Sequence, residues 1–116
     1  MALPRDAMLL RVFLGEDAKF HRWPLYEAIV LKAREAHLAG ATVLLGKMGF
    51  GHSSRLHTTK ILRLSEDLPV VIEIVDTEQK IKAFLPVLES MMPGGLVTLE
   101  KVQVLLYGQD VEHGLA

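Results

Sequence analysis

Two short apolar runs, each with one charge near its middle, constrain this chain more than any other feature. They are Met8 to Leu14 (MLLRVFL) and Val70 to Val75 (VVIEIV), and both read as strands. Between them lies a helical pattern. Pro24 suits the first turn of a helix, and Leu25, Ile29, Ala33 and Ala36 recur at spacings of four, four and three, so the helix is expected to stop at Gly40. Ala41 to Leu45 is the next strand. After Val75, Asp76 is expected to cap a second helix with Gln79 three residues on and an apolar stripe of Ile81, Phe84, Leu85 and Leu88. Pro86 is expected to kink or restart it, because proline removes a helical hydrogen bond. Pro93, Gly94 and Gly95 turn the chain into a last strand, Leu96 to Tyr107.

The order is β-α-β followed by β-α-β. Right-handed crossovers in both halves place the first and third strands side by side at the centre of one antiparallel sheet, with both helices on one face. The fold class expected is therefore α+β, a ferredoxin-like βαββαβ sandwich. If Leu10, Val12, Leu14, Val70, Ile72 and Ile74 face the helices, then Leu9, Arg11, Phe13, Val71, Glu73 and Val75 face away. A sheet open to water would be polar there. This one is mostly apolar, with Arg11 and Glu73 at matching positions on two central strands that we expect to be parallel. The expectation is burial of that face in a homo-oligomer, with Arg11 and Glu73 as charge partners.

Composition agrees with an oligomer. The mean hydropathy of +0.27 is high for 116 residues, a size at which surface outweighs interior. A membrane does not absorb the surplus, since the longest stretch free of Asp, Glu, Lys and Arg runs only from Ala36 to Gly46, against about 20 residues for a spanning helix. No secretory signal is evident at the N-terminus and there is no cysteine, so the compartment expected is the cytoplasm. We expect one domain over residues 1–116, with a core of about 8–107 and a flexible tail at 108–116.

The formal net charge of -1 conceals a gradient. From Ala36 to Ser65 there is no carboxylate, yet the stretch holds Lys47, Arg55, Lys60 and Arg63 with His37, His52 and His57. Its middle reads GKMGFGHSSRLHTTK. Gly46, Gly49 and Gly51 let backbone N–H groups approach an anion, and Arg55 is suited to bidentate phosphate binding. The spacing misses the dinucleotide fingerprint, and it misses a P-loop because His52 stands where the lysine belongs. Glycines, bases and missing acids together point to an anion site.

Other chemistries are less well supplied. His52 and His57 lack a nearby Cys, Asp or Glu to complete a metal site, and a pair of Ser53 or Ser54 with either histidine lacks an orienting carboxylate. RNA-binding domains of this topology stack bases on aromatics of the central strands, and VVIEIV has none. Trp23, beside Pro24, reads as a hydrophobic staple. His37 is expected near a helix C-terminus, and Met91 and Met92 as gap-filling side chains.

Seven segments in register carry a family resemblance: LGED from Leu14, PLYEAI from Pro24, AGATV from Ala39, GKMGFG from Gly46, SRLHT from Ser54, SEDLPVV from Ser65 and GLVTLEKV from Gly95. Over roughly residues 8–107 the chain resembles a small PII-like family known as a domain of unknown function. The resemblance implies ferredoxin-like protomers in a compact trimer, sheets packed inward, and adenine nucleotides (AMP, ADP or ATP) between subunits. It implies no obligatory cofactor, no metal and no catalytic residue. It also implies that the loop at 47–65 switches conformation and is read by a partner protein. Gly46, Met48, Gly49, Phe50, Gly51, Arg55, His57 and Lys60 would then bind nucleotide. Gly94 and Gly95 match the position of the second phosphate-binding loop of PII, although no base follows before Lys101. The alternatives are a small phosphate- or acyl-transfer enzyme using Arg55 and His57, and a divalent-metal-binding trimer of the copper-tolerance type.

Overall fold

A computed structural model of the protein describes residues 3–50 and 67–108. The elements run β1 (Asp6–Gly15), β2 (Lys19–Phe20), β3 (Trp23–Pro24), α1 (Leu25–Glu35), β4 (Thr42–Leu45), β5 (Pro69–Asp76), α2 (Glu78–Met91) and β6 (Leu96–Gln103). The main sheet has the order β4-β5-β1-β6, every neighbour antiparallel, and β2 pairs with β3 in a separate small hairpin. This is the expected ferredoxin-like arrangement. One expectation within it is corrected: β1 and β5, which carry Arg11 and Glu73, run antiparallel rather than parallel. A β-α-β crossover returns the chain in its starting direction but leaves a gap. Thus β1 and β4 are the parallel pair, and β5 fills the space between them with opposite sense.

Alternation along the central strands builds the core. Leu10, Val12, Val70, Ile72 and Ile74 are almost completely buried against the helices, which contribute Leu25, Ile29 and Ala33 from α1 and Ile81, Phe84, Leu88 and Met91 from α2. Burying each large aliphatic side chain contributes about 1.5–3 kcal/mol. Met92 packs beside this cluster, so Met91 and Met92 both fill core space.

Helix ends depart from the sequence reading in ways that hydrogen bonds explain. Helix α1 stops at Glu35, not at Gly40. His37 adopts a left-handed φ of 61°, its N–H donates to Arg34 O, and the N–H of Leu38 donates to Ala33 O. That bond pair is a Schellman close, here with histidine where glycine is usual, and partly buried Leu38 supplies the accompanying apolar contact. At α2 the cap is Thr77, not Asp76: the Thr77 hydroxyl accepts from Lys80 N at 3.1 Å. Asp76 is instead the last, buried residue of β5. Pro86 neither ends nor restarts α2, which runs unbroken from Glu78 to Met91, with buried side chains on both sides of the proline holding it to the sheet.

Three further corrections concern exposed segments. Trp23 is not a staple, being 59% exposed in the β2–β3 hairpin that the periodicity did not suggest. Ala36 is the exposed C-cap of α1 rather than part of its buried stripe. The last strand ends at Gln103 rather than Tyr107. Beyond it Val104 N donates to Arg5 O, and the Tyr107 hydroxyl reaches Ala39 O at 3.0 Å.

Candidate functional site

At one end of the sheet β1 and β4 finish while β5 and β6 begin, and a cleft of about 640 Å³ opens there. Its apolar walls include Phe13, Leu14, Leu25, Phe50, Val70 and Leu96. Two glycine-bearing turns form its rims, Gly49–Phe50 after β4 and Pro93–Gly95 before β6. Local geometry explains why glycine stands in both. Gly95 has a φ of 113°, and a Cβ there would lie 2.8 Å from the carbonyl oxygen of Phe13. Gly46 prolongs the β4–β5 pairing by donating to Pro69 O at 2.6 Å, and a Cβ on it would meet the proline ring at 2.7 Å.

Of the residues singled out from the sequence, Gly49, Phe50, Gly94 and Gly95 line this one cleft. Gly46 lies behind it against Pro69, and Met48 is 76% exposed beside it. Lys101 is not brought to the turn that precedes its strand. It lies opposite Met8, whereas Leu96 lies opposite Phe13, and five residues of strand separate the two by about 17 Å. Lys101 instead borders a different depression with Asp6 and Glu78. The Glu78 carboxyl there is held below its ordinary range, chiefly by the hydrogen bond from Lys82, with Lys101 adding a smaller attraction. Gly51, Arg55, His57 and Lys60, and most of the 47–65 loop, lie outside the described residues, as does the tail from 109 on.

The cleft also holds two carboxylates that the sequence reading passed over, Asp17 and Asp67. Asp67 Oδ1 accepts from Asp17 N at 2.7 Å, and Glu16 N donates to Leu68 O at 2.8 Å, so the residues just before β5 strap the turn that ends β1. A Cβ on Gly15 would fall 2.3 Å from Asp67 Oδ2, so the carboxylate is seated directly on a bare glycine Cα. The signals were present in the LGED and SEDLPVV segments. Only the antiparallel pairing of Gly15 with Pro69 makes them neighbours.

On the helix-free face, Arg11 lies between two acids. Its Nε donates to Glu73 Oε2 and its terminal nitrogen to Glu100 Oε1, both at 3.0 Å. These bonds, the one to Glu73 first, raise the guanidinium pKa further above its ordinary value, so Arg11 is always charged. Around this cluster Leu9, Phe13, Leu44, Val71 and Val75 share the face. Glu100 was not anticipated, because it reaches Arg11 only through the β1–β6 register that sets Glu100 opposite Leu9.

Among the described residues no three or more His, Cys, Asp or Glu side chains converge as a metal-ligating group. No described helix is long and apolar enough to cross a membrane.

Known proteins resemble this chain in sequence and in fold. A UPF0166 protein from Aquifex aeolicus is 41% identical over 97 residues, covering 84% of this chain and 91% of its own length. Another from Methanocaldococcus jannaschii is 35% identical over 99 residues with the same coverage of both chains, 84% and 91%. Among solved structures, a PII-like signaling protein from Thermus thermophilus superposes with a TM-score of 0.61 at 17% identity, covering 90% of this chain and 93% of that one. The PII-like protein CPII from Thiomonas intermedia, bound to ADP and bicarbonate, gives 0.55 at 19% identity, covering 85% and 88%. At such identities the likeness establishes the fold. The profile of the DUF190 family, described as Uncharacterized ACR, COG1993, matches residues 7–104, and with that match the chain belongs to the DUF190 (UPF0166) family.

Proposed function

We propose that this protein is a PII-like regulatory protein rather than an enzyme. In this reading it is a single-domain cytoplasmic homotrimer that binds an adenine nucleotide at clefts between subunits. The observation that carries the reading is the meeting of Gly49–Phe50 and Pro93–Gly95 in one cleft of about 640 Å³, large enough for a nucleoside within the usual range of ligand sites. The shared fold supports it, since CPII with this fold has been solved with ADP, and with ADP and AMP together. The helix-free face supports the assembly, because Leu9, Phe13, Val71 and Val75 make it largely apolar where a water-facing sheet is polar.

Met48, Gly49, Phe50, Gly51, Arg55, His57 and Lys60 are the proposed nucleotide contacts, with Gly94 and Gly95 on the opposite rim, while Gly46, behind the cleft, and Lys101 are left outside. The mechanism is a population shift. Nucleotide contacts at the base of the loop favour one conformation of residues 47–65, and a partner protein reads that conformation. No bond is broken. The test is thermal unfolding of the full chain with AMP, ADP, ATP and cyclic AMP, run beside sedimentation and a phosphate-release assay. A bound nucleotide at 100 times its Kd stabilises the folded state by about 2.7 kcal/mol. A rise in melting temperature with a trimeric mass and no released phosphate is expected. Absence of any shift, or steady phosphate release, would overturn the reading.

A further inference from the structure

The cleft contains a carboxylate whose position is built rather than incidental. Asp67 is anchored by Asp17 N–H at 2.7 Å through Oδ1, while Oδ2 lies 2.3 Å from where a Cβ on Gly15 would be. Any side chain at position 15 would push the carboxylate away. One oxygen is thus committed to the turn. Asp67 lines the apolar cleft and is solvent-exposed, so its carboxylate can accept from an incoming ligand.

A carboxylate repels phosphate and attracts hydroxyl or amino donors. At an apolar slot sized for a purine, the matching donor is a sugar hydroxyl, the same chemistry by which acidic residues grip ribose in dinucleotide-binding folds. Resting on the adenine-nucleotide reading above, we propose that Asp67 is a specificity residue that accepts hydrogen bonds from the ribose hydroxyls of the bound nucleotide. The base then lies along the apolar walls. The phosphates point away from Asp17 and Asp67, whose charges repel them. The ligand class that follows is a ribonucleotide, discriminated from its deoxy counterparts.

The experiment is calorimetric titration of the full chain with AMP, 2′-deoxy-AMP and 3′-deoxy-AMP in EDTA, repeated with magnesium, for the wild type, Asp67→Asn and Gly15→Ala. Asparagine keeps an acceptor for Asp17 N–H and replaces the second oxygen by a donor. Gly15→Ala leaves Asp67 chemically intact and displaces its carboxylate, including the Oδ1 held by Asp17 N–H. The wild type is expected to bind at least one deoxy analogue roughly ten-fold more weakly than AMP, as loss of a charge-assisted hydrogen bond requires. Both variants are expected to lose that discrimination while their ligand-free melting curves stay cooperative. Equal wild-type affinity for all three ligands overturns the assignment and leaves nucleotide binding standing. Discrimination retained in both variants does the same. A requirement for magnesium that Asp67→Asn abolishes would assign the carboxylate to a cation instead. No binding of any of the three by the wild type would overturn the parent reading as well.

Discussion

Arg11 and Glu73 face each other across adjacent antiparallel strands, joined by a 3.0 Å hydrogen bond at the centre of the helix-free face, with Glu100 on the other arm of the guanidinium. Two carboxylates therefore depend on one cation. If this face is buried between protomers, Arg11→Met leaves both acids without a countercharge in an apolar contact, which is costly where water is excluded. The variant is expected to sediment as a smaller species than the wild type, with a lower melting temperature. An unchanged mass at micromolar concentration would show that the face is not the assembly surface.

Gly95 and Gly94 form a matched pair of tests at the cleft rim. A Cβ on Gly95 meets the Phe13 carbonyl oxygen at 2.8 Å with φ at 113°, while a Cβ on Gly94 meets nothing within 4 Å. Gly95→Ala is expected to destabilise the fold by about 1–3 kcal/mol in urea unfolding. Gly94→Ala should stay within about 0.5 kcal/mol of wild type.

Asp76, only 1% exposed, accepts from Ala39 N at 2.7 Å and from Thr77 N at 2.6 Å, and thereby pins the α1–β4 connection to the start of α2. Lys80 adds a bond to His37 O at 2.5 Å. Asp76→Ala strands two donors and is expected to cost about 1–3 kcal/mol for each one left unpaired. Thr77→Ala removes the α2 cap and should cost about 1 kcal/mol. Both are read from denaturant midpoints, and Asp76→Ala having the smaller effect would contradict this account.

Arg55 is the base best suited to phosphate in the acid-free stretch. Arg55→Ala is expected to weaken AMP binding by about 1.5–3 kcal/mol by calorimetry, the loss of a charge-assisted hydrogen bond. Unchanged affinity would remove Arg55 from the site.

Much of the fold was legible because burial imposes a period. Leu10 and Val12 alternate with Arg11, Ile72 and Ile74 alternate with Glu73, and Ile81, Phe84 and Leu88 recur at helical spacing, so strands, helices and the two sheet faces follow from local sequence alone. Segments without a period were read less well. The β2–β3 hairpin is too short to show one, and α1 ends five residues before Gly40 because His37 can occupy the left-handed position usually left to glycine. Strand direction was misjudged for β1 and β5, although the expected topology already fixed it: neighbours in an antiparallel sheet run in opposite senses.

The same division holds for the candidate site. Its Gly49 and Gly95 were legible, because a backbone that must pass close to another chain segment leaves little room for a side chain. Its carboxylates were not. Gly15 and Asp67 are fifty-two positions apart, and Glu100 is eighty-nine from Arg11, so their contacts exist only once β1 pairs with β5 on one side and β6 on the other. Local sequence determined which residues could be buried, turned or charged. The tertiary register alone decided which of them meet, since a hydrogen bond of about 3 Å depends on strand alignment to the single residue.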